Sequence, residues 1–111
     1  MELLCRLTQL GNRPVLHASG EVDLATLPYF HDHLSRSVAL VGEGTLYVDL
    51  DGVIALDDTG LGMLLGAAGR CREQGGDLMV VCTNARLLAR LAITGLDRAI
   101  TVVPRVSASP V

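Results

Sequence analysis

Asp49-Leu50-Asp51 sets two carboxylates one residue apart at the end of the apolar run TLYVDL, with Gly52 directly behind them. Neighbouring carboxylates could serve as a nucleophile and as a general acid. Asp57-Asp58-Thr59-Gly60-Leu61-Gly62 follows, with a second acidic pair, a hydroxyl and two glycines where a helical pattern begins. Gly60 and Gly62 in a first turn leave backbone uncovered, so free N–H groups and the positive helix end face Asp57, Asp58 and Thr59. His17, His31 and His33 do not form a metal set, because His31 and His33 diverge on a helix and flank its apolar stripe. Cys5, Cys71 and Cys82 are odd in number, far apart and set among apolar neighbours. That pattern predicts buried structural thiols.

The first acidic pair lacks the context of its chemistry. Asp49-Leu50-Asp51-Gly52 resembles the nucleophile loop of the haloacid-dehalogenase phosphatases, and that resemblance implies a later Ser or Thr, a cation to clamp the phosphate and a further acidic pair for magnesium. Here there is no lysine, and no acidic pair follows Asp58. The competing account is a strand end, with Val48 and Leu50 on one face, Asp49 on the other and Asp51-Gly52 turning the chain. A phosphatase using Asp49 and Asp51 therefore stands only as an alternative. Gly60-Leu61-Gly62 has neither the following lysine nor the third glycine of a nucleotide loop.

The elements that position these residues follow from composition and pattern. Half of the 111 residues are hydrophobic, with one Phe, two Tyr and no Trp. One domain, residues 1–111, with an aliphatic core is expected, burying about two-thirds of the unfolded surface. The net charge is -3, and the nine basic residues, all arginine, are scattered. This argues against nucleic acid and acidic membranes as partners. No run of roughly 18 apolar residues occurs and the start lacks a secretory pattern, so a cytoplasmic protein without membrane insertion is expected. Nothing calls for a cofactor, a metal or a small-molecule substrate.

Residues 3–10 and 15–19, separated by Gly11-Asn12-Arg13-Pro14, predict a β-hairpin. Residues 45–50, 77–82 and 99–103 predict further strands, the second apolar enough to be covered on both faces. A first helix starts at Thr26 as N-cap, accepts Pro28 in its first turn and buries Phe30, Leu34, Val38 and Val41. A second runs from about Thr59 to Gln74, burying Leu61, Leu64, Leu65, Ala68 and Cys71 before Gly75-Gly76. A third is capped by Thr83 or Asn84, buries Leu87, Leu88 and Leu91, and ends at Gly95. The fold class is α/β: a mixed sheet opening with a hairpin, then alternating helices and strands packed on it. Residues 106–111 predict a fraying tail.

Four stretches in order carry a resemblance over nearly the whole chain. They are Gly20-Glu21-Val22-Asp23-Leu24-Ala25-Thr26, Val48 to Val53, Asp57 to Gly62, and Leu87 to Asp97. The set resembles the STAS domain of bacterial anti-sigma factor antagonists and of sulphate-transporter tails. The resemblance implies a protein, not an enzyme, that docks onto an anti-sigma factor of the serine-kinase type and so frees a sigma factor. Its implied contact surface is Asp23, Asp57, Asp58, Thr59, Gly60, Leu61 and Gly62. A STAS subunit of an ABC-type transport complex or of a sensory assembly is the alternative job.

The family's switch segment is usually Asp-Ser-Ser/Thr-Gly-Leu-Gly, and its first Ser is the kinase's target. Here that position is Asp58. Three readings stay open: Asp58 caps the helix, Asp58 partly mimics a phosphorylated residue, or Thr59 has become the acceptor. Asp23 lies near the same end of the sheet or caps a turn.

Overall fold

The computed structural model describes residues 2–106. Strands β1 (Leu3–Leu10) and β2 (Arg13–Val22) form the expected hairpin. They pair antiparallel from Leu3↔Gly20 to Leu10↔Arg13. The turn is Gly11-Asn12, and Gly11 takes φ 64°, a value that favours glycine. After it come α1 (Leu27–Val41), β3 (Thr45–Leu56), α2 (Asp58–Glu73), β4 (Asp77–Val81), α3 (Ala85–Thr94), α4 (Leu96–Ala99) and β5 (Thr101–Val103). The sheet order is β1-β2-β3-β4-β5. β2 to β5 run parallel, as connections through helices require.

The helices cover one face. Phe30, Leu34 and Val38 of α1, Leu61, Leu64, Ala68 and Cys71 of α2, and Leu87 and Leu91 of α3 share one buried cluster with Leu16, Leu46, Val48, Leu50, Leu78 and Val80. The opposite face carries a smaller cluster of Val15, Tyr47 and Val81, with Met79, Val103 and Val106 packed on it. β4 is thus apolar on both faces, as expected, but a helix layer covers only one. Met79 is accordingly half-buried rather than buried. Val106, expected in the tail, packs on this second cluster, and residues 107–111 of the expected tail lie outside the described residues.

The largest departure from the sequence expectation is β3. Asp51-Gly52 does not end it; the strand continues to Leu56. Opposite β2, His17↔Asp49 is followed by Ser19↔Gly52, and Gly20↔Val53 by Glu21↔Ala55. β3 therefore carries an extra residue at each of two bulges. A Cβ at Gly52 would lie 2.7 Å from Ser19 Cβ and 3.1 Å from the Ala18 carbonyl oxygen, so close approach, not a turn, requires the glycine. The bulges shift the phase of burial to Leu50, Val53 and Leu56 and turn Ile54 outward.

Two smaller corrections share one cause, the limited width of a helix's buried arc. Leu65 and Leu88, expected inside, are 43% and 36% exposed, one residue past Leu64 and Leu87 respectively. The expected last strand gives up its first two residues: Ala99 closes α4 and Ile100 caps it. Gly95, in the left-handed region at φ 82°, separates α3 from α4.

Candidate STAS switch surface

The site forms where the parallel strands end. Asp57 N–H donates to the Val22 carbonyl at 3.1 Å, extending the β2–β3 pairing to the residue that opens α2. Asp57 is extended, with φ -85° and ψ 173°, and its Oδ1 accepts from Gly60 N–H at 3.1 Å. Asp57 is therefore the N-cap. The capping reading of Asp58 is overturned: β3 runs to Leu56, the helix starts at residue 58, and the cap falls one residue earlier.

Asp58 occupies the first helical position, where the dipole favours an anion. Its side chain is 87% exposed, and its Oδ1 accepts from Arg90 Nη2 of α3 at 2.5 Å. The sequence alone gives Arg90 no role at this site. Arg90 lies far along the chain in an arginine-containing helix, and no local spacing marks it. Its Nε is buried without a hydrogen-bond partner among the described residues, so the head group is held by packing as well as by Asp58. An exposed pair of this kind contributes about 0–1 kcal/mol, and its larger effect is to neutralise the charge at position 58. Thr59 is exposed beside it.

Gly60 and Leu61 are not surface residues. Both are buried, and a Cβ on Gly60 would come within 2.7 Å of Val22 Cγ1 and 2.8 Å of Leu56 Cδ1. Gly60 therefore lets α2 settle onto the strand ends, and its N–H is held by Asp57 rather than left free. Gly62 is exposed, and apart from its chain neighbours and its own helix backbone no atom of the described residues lies within 4 Å of its Cβ position. The expectation of free N–H groups therefore fails at both glycines: Asp57 holds that of Gly60, and Gly62, though exposed, lies past Leu61, whose N–H already bonds the Asp57 carbonyl in the helix ladder.

Asp23 both caps a turn and neighbours the site. Its Oδ1 accepts from Ala25 N–H at 3.0 Å and Thr26 N–H at 3.2 Å. Thr26 begins α1 without a side-chain cap bond; its hydroxyl instead donates to the Glu21 carbonyl at 2.8 Å. This bracing holds Leu24 outward, 81% exposed, beside the Asp57 strand end. Leu24 falls within the resembling stretch Gly20 to Thr26 but outside the implied contact residues; its one further signal is that it is apolar and outside any periodic stripe.

Asp49 and Asp51 do not join this site. Asp51 accepts from Thr83 N–H at 2.6 Å and from Thr83 Oγ1 at 3.1 Å, tying the β3 bulge to the segment after β4. Asp49 Oδ2 meets His17 Nδ1 at 3.0 Å, and its Oδ1 accepts from Asp51 N–H at 2.9 Å. The three thiols are buried and free. Burial pushes Cys82 above its ordinary range, with Asp51 and Asp49 adding to the rise and the Asn84 backbone opposing it.

A family model described as "Mlab, STAS domain" matches residues 5–104. The chain belongs to the STAS-domain family. This STAS domain is 32% identical over 103 residues to an anti-sigma-B factor antagonist of Bacillus subtilis, covering 92% of each chain. It is 34% identical over 88 residues to one of Listeria monocytogenes, covering 78% of this chain and 75% of the relative. The crystal structure of an anti-sigma factor antagonist from Mycobacterium paratuberculosis shares its fold, with a TM-score of 0.85 at 24% identity over 95% of this chain and 88% of that one. No helix among the described residues is long and apolar enough to cross a membrane.

Proposed function

We propose that this STAS domain is an anti-sigma factor antagonist that docks onto an anti-sigma factor of the serine-kinase type and thereby frees a sigma factor. The contact surface is the exposed opening of α2, Asp58, Thr59 and Gly62, with the braced Asp23-Leu24 loop beside it. One observation carries the reading: a fixed carboxylate, Asp58, stands 87% exposed and paired with Arg90 at the first position of α2 while its neighbour Asp57 does the capping. Asp58 is thus free of a structural duty in its own helix, as a switch residue must be.

Pairing with Arg90 decides how that fixed charge acts. A phosphoryl group would bring about two negative charges and three acceptor oxygens, more than one guanidinium neutralises. Asp58 brings one charge, already matched. The chain therefore behaves as the docking-competent form, with affinity only modestly below that of Asp58→Ser.

Affinity purification of the tagged chain from its native cell should recover a kinase-fold anti-sigma factor; recovery of an ABC-type ATPase would move the chain to a transport assembly. With the recovered kinase and ATP, intact mass should show no phosphate on the parent and one on Asp58→Ser. A shift in the parent that disappears in Thr59→Ala would place the modification at Thr59 instead.

A further inference from the structure

The sheet face that no helix of the described residues covers carries a row of three reactive groups, one from each of β1, β2 and β3. Thr8 Oγ1 lies 3.0 Å from His17 Nε2, and His17 Nδ1 lies 3.0 Å from Asp49 Oδ2. The strand register sets the row: Thr8 pairs with Val15, His17 with Asp49, and Val15 with Tyr47. A carboxylate only accepts, so in the neutral ring Nδ1 carries the hydrogen and Nε2 presents its lone pair to the Thr8 hydroxyl. Asp49 is itself oriented by the Asp51 N–H. This is the connectivity of a hydroxyl activated by an imidazole that a carboxylate aligns.

We propose that Thr8 is a base-activated nucleophile that accepts an acyl group from small activated esters or thioesters, a capacity separate from docking at α2. Oγ1 bonds to the acyl carbon as its proton passes to His17 Nε2. The carbon–oxygen or carbon–sulfur bond to the leaving group then breaks; that group departs with the electron pair and takes the proton from the imidazolium. Acyl-Thr8 and neutral His17 remain. Water can release the acyl group by the same path, giving its proton to His17, which returns it to Oγ1. Arg6, the register partner of His17, is an exposed cation on this face for the developing oxyanion. The His17 and Asp49 side chains are 40% and 25% exposed, so a donor has access, and the open face selects for small size and a good leaving group rather than for shape.

The test is p-nitrophenyl acetate with the full chain, followed by nitrophenolate release, intact mass and peptide mapping. The expected result is an acetyl group on Thr8, retained in Thr8→Ser and absent in Thr8→Val. His17→Gln and Asp49→Asn, checked by circular dichroism for retained fold, should slow acetylation of Thr8 by about 100-fold or more. Acetylation at Thr8 as fast in His17→Gln as in the parent, or an adduct confined to the amino terminus and the thiols, overturns the proposal. Thr8, His17 and Asp49 would then be a polar clasp across three strands. Unfolding of both His17→Gln and Asp49→Asn would leave Thr8→Ser against Thr8→Val on the parent chain as the deciding pair, with an adduct in both refuting the assignment.

Discussion

Asp57 and Asp58 are the same residue side by side, and their surroundings give them opposite work. Asp57 is half-buried and bonds the Gly60 N–H; Asp58 faces solvent and meets Arg90. Removing the cap leaves a helix N–H unsatisfied, so Asp57→Ala should lower unfolding stability by about 1 kcal/mol in urea titration. Asp58→Ala loses an exposed pair and an anion that the helix start favours, gains the helix propensity of alanine, and should stay within about 0.5 kcal/mol of the parent. Equal losses would contradict this division of labour, and a larger loss at Asp58 would return the cap to it. The sequence showed an acidic pair at a helix start but not the division of labour, because either aspartate can cap. The end of β3 decides, and that end depends on bulges no local pattern displays.

At the scale of elements, the hairpin, the three long helices and the parallel strands were legible because apolar residues recur at 2 or 3.6 positions there and Gly11, Gly75 and Gly95 punctuate them. β3 was legible only as far as Leu50. Beyond it, two extra residues break the alternation, so Val53 and Leu56 look like loop residues although both are buried. The glycines of α2 were equally ambiguous in sequence, and the packing separates them. Gly60→Ala pushes a methyl against the stiff, fully buried Val22 and should cost about 1–3 kcal/mol, with partner affinity falling as the first turn is displaced. Gly62→Ala meets open space and should be neutral or stabilising by up to about 1 kcal/mol through helix propensity. Urea midpoints of the two variants check this, and a loss at Gly62 equal to that at Gly60 would contradict the placement of α2.

Across the whole molecule, the helix-covered face forms one aliphatic core that includes Cys5 on β1, Cys71 on α2 and Cys82 after β4. None of the three is paired in a disulfide, so each must remain a neutral thiol for the core to stay intact. Burial pushes the Cys5 thiol from an ordinary 9.0 up to about 11. It also raises Cys71, where Asp77 adds to the rise and Arg70 and Arg72 oppose it. Well below 9.0 the folded and unfolded chains hold the same thiol protons, so these groups give no pH dependence there. Between 9.0 and about 11 the unfolded chain releases the Cys5 proton while the folded chain keeps it. The unfolded state then binds fewer protons, and stability falls as pH rises through this window. Urea midpoints should therefore be level up to about pH 9 and decline above it. Cys5→Ala separates this effect from the other groups that titrate at high pH. The variant should start less stable at neutral pH, because it leaves a small cavity, and should then lose less than the parent as pH rises. A decline of equal slope in parent and variant would assign the alkaline sensitivity to groups outside the core.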